Sequence, residues 1–154
     1  MLNKTELKGI AETRLTEARI LFRKKNSKYE GVVHLCVYAI EVAFKKKICD
    51  TLDWVGFPET KGEFKKLGSF KTHNLQILLK LCGYERRIKR NPEMWANWSI
   101  LQDLNVEIRY APRGKINRQE AREVIDATYK LLLFLKIKRK RIKKTAIKKG
   151  KNDK

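Results

Sequence analysis

The stretch VVHLCVYAIEVAF, residues 32–44, decides the fold. It is the longest apolar segment of the chain, broken only by His34 and Glu41. It falls short of the roughly 18 apolar residues that cross a bilayer. A helix built around it, over about Lys28–Leu52, is apolar around much of its circumference. Such a helix belongs at the centre of a helical assembly, not on its surface.

Reading outward, helix signals dominate. Asn3 to Glu6, Ser27 to Glu30 and Asn117 to Glu120 each set a capping side chain three residues before a Glu. That is the capping-box spacing, which satisfies two orphan backbone donors reciprocally. Asn91-Pro92 marks a further start, with Pro preset for the first helical position. Thr72 is a fifth candidate cap. The spacing predicts a first helix over about Lys4–Lys25, with Leu7, Ile10, Ala11, Ala18, Leu21 and Phe22 at helical intervals. A third helix is expected over about His73–Cys82, stopped by Gly83. A fourth is expected over Pro92–Arg109, with Trp98, Leu101, Leu104 and Ile108 on one face. The last starts near Arg118 and runs to Leu135, extending a turn or two if Ile137 and Ile142 join it. Residues 54–70 carry Gly56, Pro58, Gly62 and Gly68 and read as a long loop. Its aromatics Trp54, Phe57, Phe64 and Phe70 are read as cover for the core. Glu85–Arg90 reads as a basic loop, and no strand-like alternation competes. The fold class is therefore all-α: an up-and-down bundle of four to five helices over residues 1–142, followed by a basic, disordered tail over 143–154.

The chain has 154 residues, suited to one domain, and 42% are hydrophobic, enough for a packed core. Lys and Arg number 37 against 17 Asp and Glu, a net charge of +20. An imbalance of that size attracts polyanions. Half of it sits in residues 136–154, which hold eleven Lys/Arg and one acid, Asp153. This run is expected to be a mobile arm that supplies nucleic-acid affinity without sequence preference. Residues 1–8 are polar, so no signal peptide is expected, and no membrane association. The three cysteines, Cys36, Cys49 and Cys82, are odd in number and unpaired in spacing, which fits reduced thiols in a cytoplasmic protein.

Few residues stand out as chemistry-bearing. Glu41 is the sole carboxylate between Gly31 and Cys49, with Lys45 four residues on. It is read either as part of a structural ion pair, with Lys45, Arg14 or Arg109 as partner, or as the organiser of a cation at a cleft. Arg109 closes the fourth helix, where a cation suits the dipole, or binds phosphate through its planar fork. Tyr110 then stacks on a base or fills core. His34 is read as a locally satisfied packing residue, and His73 as a brace at a helix start. There is no metal-ligand spacing, Gly-rich phosphate loop or nucleophile elbow, and no cofactor is expected.

Four segments together resemble the HEPN superfamily, helical domains of prokaryotic nucleotidyltransferase operons, toxins and defence systems. They are RLTEA at 14–18, AIEVAFK at 39–45, KTHNL at 71–75 and RYAP at 109–112, after a Trp-bearing helix. The resemblance spans about Leu7–Leu135. It implies a four- to five-helix bundle, usually a homodimer, with a basic cleft between protomers. It also implies, in ribonuclease members, an Arg followed after four to six residues by a His. Arg109 matches the Arg, but Gly114, Lys115 and Ile116 stand where the His would fall. Arg113 and Lys115 can hold phosphate, yet neither is a general base near neutral pH.

The expected function is thus a non-catalytic or degenerate HEPN-like protein binding RNA, DNA or nucleotide. It would act as a homodimer and as an accessory to a nucleotidyltransferase, toxin–antitoxin or other defence protein. The binding set is Arg109, Tyr110, Arg113 and Lys115; Arg86, Arg87, Lys89 and Arg90; and Lys138, Arg139, Lys140, Arg141, Lys143 and Lys144. One alternative is a metal-independent endoribonuclease using Arg109, Glu41 and His73. Another is a protein-interaction module for an acidic partner.

Overall fold

The computed structural model describes residues 1–25 and 28–138, with the side chains of Val106 and Arg109 excepted. The tail expected over 143–154 lies outside the described residues, as does the segment 139–142 before it. The fold is mostly α. In chain order come β1 (Leu2–Asn3), α1 (Lys4–Arg23), α2 (Tyr29–Thr51), β2 (Gly56–Phe57), α3 (Leu75–Leu81), α4 (Glu85–Lys89), α5 (Pro92–Leu101) and α6 (Arg118–Phe134). Two 3-10 turns, Gly68–Phe70 and Val106–Tyr110, fill the longer connections.

The caps form largely where the sequence puts them. Asn3 and Asn117 each accept from the backbone three residues on, and Glu6 and Glu120 reach back to complete the boxes. Asn91 caps α5 by accepting from Met94 N. The expected box at Ser27–Glu30 falls partly outside the described residues, at Ser27. Lys28 precedes α2 without a side-chain cap, and Glu30 is engaged elsewhere. At α3 the cap is Asn74, which accepts from Ile77 N, while Thr72 accepts from Asn74 N.

Three helix ends share one device. Asp53, Gly83 and Lys136 follow α2, α3 and α6 in the left-handed region, with φ of 52°, 76° and 57°. At α6 the N–H groups of Lys136 and Ile137 donate to the carbonyls of Leu133 and Leu132, the two bonds of a Schellman cap. This stops α6 at Phe134, so the helix does not continue through Ile137; Ile142 lies outside the described residues. Ile137 is fully buried, as the plug of the cap.

α2 is the axis of the fold. It packs against α1, α3, α6, β2 and the Val106–Tyr110 turn. Val32, Val33, Cys36, Val37, Ala39, Ile40, Val42, Ala43, Phe44, Ile48 and Cys49 are all buried along it. Much of its apolar circumference is therefore covered within one chain, with Leu35 and Tyr38 half-buried at its edge. Phe44 meets the Trp98 ring of α5 edge-on, centroids 5.8 Å apart.

Three expectations change. The expected fourth helix is two pieces: α5 ends at Leu101, and Asn105 starts the 3-10 turn by accepting from Glu107 N. The expected basic loop at 85–90 contains α4, held by the fully buried Ile88. A small antiparallel pairing joins β1 to β2, Leu2 opposite Phe57. It needs Gly56, where a Cβ would stand 2.5 Å from the Leu2 carbonyl oxygen. The long loop's aromatics do cover the core: Trp54 packs on Phe70 and Phe57, and Phe57 on Phe64. No described helix is long and apolar enough to cross a membrane.

Candidate functional site

Glu41 lies in the middle of α2 with only 2% of its surface exposed. A carboxylate so placed needs partners, since an unpaired buried charge is costly. It has two. Lys45 Nζ, one turn on, stands 2.6 Å from Oε1, and His73 Nδ1 stands 2.9 Å from the same oxygen. Lys45 is 18% exposed, and its ammonium also sits 5.3 Å above the Phe57 ring. His73 comes from the turn before α3 and is 69% exposed. Against a carboxylate, Nδ1 is the donor, and in the neutral ring this leaves the exposed Nε2 as the acceptor. The arrangement ties α3 to α2 and presents an oriented imidazole at the surface.

Arg14 does not join this group. Its Nη1 lies 2.5 Å from Glu17 Oε2, one turn along α1, and its guanidinium lies over the Tyr38 ring. The expected Arg14–Glu41 pair is thereby corrected: Glu17 is nearer in the chain. Arg109 has its backbone in the 3-10 turn against α2, and its side chain lies outside the described residues.

Two grooves flank the segment that follows. One, of about 320 Å³, is lined by Lys28, Glu30, Gly31, His34, Ala111 and Arg113. The other, of about 490 Å³, includes Asp103, Glu107, Tyr110, Ala111 and Lys115. They meet at Ala111. Tyr110 is 75% exposed, so it does not fill core. Glu30 holds this region in place: its buried carboxylate accepts from Ile116 N at 3.0 Å. Burial pushes its pKa up, but the backbone N–H groups of Ile116, Glu30, Lys115 and Gly114 outweigh that and hold it below the ordinary value. Sequence reading assigned Glu30 to a capping box. A partner 86 residues away leaves no local signal.

The remaining binding candidates are spread over the surface. Arg86, Arg87, Lys89 and Arg90 are exposed on and just after α4, and no α4 residue lines either groove. Lys89 is paired with Glu85, and Arg87 lies over the Tyr84 ring. Lys138 is half-buried beside the α6 cap; Arg139, Lys140, Arg141, Lys143 and Lys144 lie outside the described residues. The three thiols are buried and unbonded to one another. Burial pushes the Cys36 thiol up to about 12 and that of Cys82 to about 11, far from a reactive thiolate. Among the described residues no group of three or more His, Cys, Asp or Glu could hold a metal ion. Comparison of the chain with protein-family models, curated proteins and solved structures finds no match.

Proposed function

We propose that the chain is a non-catalytic or degenerate HEPN-like protein that binds nucleic acid or nucleotide, as an accessory in a toxin–antitoxin, defence or nucleotidyltransferase system. The supporting observation is the disposition of charge. The chain carries +20, and many of its carboxylates are already engaged: Glu17 with Arg14, Glu41 with Lys45, Asp50 with Lys46 and Lys47, Glu85 with Lys89, Glu93 with Lys130. Arg86, Arg90, Arg113 and Lys115 are exposed with no carboxylate within ion-pair reach among the described residues. Surplus surface cations of this kind gain free energy by releasing counterions from a phosphate backbone. The test is a titration of labelled RNA and DNA strands, and of a nucleoside triphosphate, across a salt series. A linear log–log salt dependence is expected for the strands. Folded protein that binds none of them at low salt would remove the reading, and tighter binding to an acidic polypeptide of equal charge would replace it with a protein partner.

One observation favours a second reading, an endoribonuclease with a non-standard site. The Glu41–His73 contact is a base with its orienting group, the pairing that general base catalysis requires. It would supply the proton acceptor that Gly114, Lys115 and Ile116 do not. Turnover of RNA by clean protein, lost in both His73→Ala and Arg109→Ala with the fold intact, would establish it. Absence of turnover from pH 5 to 9 would leave the binding reading alone.

A further inference from the structure

We infer that the face shared by the end of α1 and the start of α6 is a stacking strip for single-stranded nucleic acid. The inference rests on the nucleic-acid reading above and names the surface and the strand type. Guanidinium groups and rings alternate along this face. Arg118 and Arg122 both lie over the Phe22 ring, at 5.0 Å and 5.6 Å from its centroid. Arg19 lies over the Tyr129 ring at 4.6 Å. Phe22 in turn meets Tyr29, centroids 5.9 Å apart and tilted by 51°. Arg118 and Arg122 are exposed, and Phe22, Tyr29 and Tyr129 are half-buried against the core.

The local cost of this arrangement points outward. Arg118 is the first residue of α6, where the helix dipole disfavours a cation. Asn117 and Glu120 already cap that end. Arg122 stands four residues on, a like-charge neighbour on the same face. Nearby Glu123 is engaged by Gln119, and no carboxylate lies within ion-pair reach of Arg19, Arg118 or Arg122 among the described residues. Two cations therefore share one ring with no carboxylate within ion-pair reach among the described residues. An external anion removes the repulsion.

The flat groups select the strand. Rings and guanidinium planes accept a base face, which a single strand offers and a duplex hides. Arg118 to Tyr129 covers about 16 Å of helix at 1.5 Å per residue, room for a short run of nucleotides. Lys28, next to Tyr29, carries the positive edge into the groove bounded by Arg113.

The experiment measures binding of the full chain to a fluorescein-labelled uridine 20-mer across a salt series. Arg118→Gln/Arg122→Gln removes two cations from exposed helical sites while keeping helix-compatible side chains, and circular dichroism verifies the fold. The salt slope is expected to flatten by about 1.4 and affinity to fall roughly tenfold. Arg118→Lys/Arg122→Lys keeps the charge without the planes, so it should keep the slope and still bind more weakly. Lys65→Gln/Lys66→Gln, two exposed cations of the long loop, serves as the control. The strip is overturned if the Gln pair at 118 and 122 loses no more than this control, if the Lys pair binds like the parent, or if a duplex of equal length binds more tightly than the single strand. In each case the nucleic-acid reading stands. If the parent chain binds no strand at any salt, that reading falls, and the strip with it.

Discussion

Glu41→Gln isolates a buried carboxylate that joins α2 to the turn before α3. The substitution keeps the shape and an acceptor oxygen but removes the charge. Two charge-assisted contacts weaken, Lys45 Nζ at 2.6 Å and His73 Nδ1 at 2.9 Å. Breaking a fully buried ion pair costs about 3–5 kcal/mol. Lys45 retains 18% exposure and His73 69%, so both partners recover some hydration, and the expected loss is about 2–3 kcal/mol. For a domain of this size that lowers Tm by roughly 6–10 °C. His73→Ala, acting at an exposed ring, should cost under about 1 kcal/mol. Urea unfolding followed by circular dichroism measures each, with the m-value unchanged. Because His73 shares Oε1 with Lys45, the double variant should lose less than the sum of the two single losses. A midpoint for Glu41→Gln within about 0.5 kcal/mol of the parent would refute the reasoning, since a carboxylate buried to 2% could not then be holding its cations in place.

Glu30 gives a pH-dependent counterpart. Its folded pKa lies below the ordinary glutamate value of 4.5, so its contribution is complete above that value and is lost as pH falls through the lowered one. Glu30→Gln should therefore destabilise at pH 7 by about 1.5–3 kcal/mol, with the gap closing below about pH 4.5 in acid-unfolding curves. Gly56→Ala should cost about 1–3 kcal/mol and abolish amide protection at Phe57, because the new Cβ collides with the Leu2 carbonyl; unchanged hydrogen exchange there would contradict the pairing of β1 with β2. Lys136→Gly should stabilise by about 1 kcal/mol, by relieving a left-handed residue with a Cβ. Scanning calorimetry should show Tm raised by about 2–4 °C, and a lowered Tm would mean that the Lys136 side chain contributes more than its backbone strain costs.

What the sequence by itself determined was whatever is decided within one turn of helix. The boxes at Asn3–Glu6 and Asn117–Glu120, the Asn91-Pro92 start, the Gly83 stop and the Glu41–Lys45 pair all join residues three or four apart, or adjacent ones, so their spacing is their structure. The centrality of α2 was equally legible, because a helix apolar all round has nowhere else to go. Local periodicity misled at Leu104 and Ile108. They continue the α5 pattern, yet Leu104 packs from the link after α5 and Ile108 from a separate 3-10 turn, because the Asn105 side chain stabilises a new start. At α4 a single apolar residue among charges, Ile88, was too little pattern to mark a helix, and its full burial shows that the core supplied the rest.

Only the tertiary structure decided which distant groups meet. His73 reaches Glu41 across 32 residues, and Glu30 takes Ile116 N across 86. The rings of Phe22 and Tyr129 are crossed by guanidinium groups from another helix. The physical reason is that such contacts depend on the rotation and offset with which α1, α3 and α6 settle on α2. Those are set by the packing of many apolar side chains at once, a collective outcome to which no short segment carries the key.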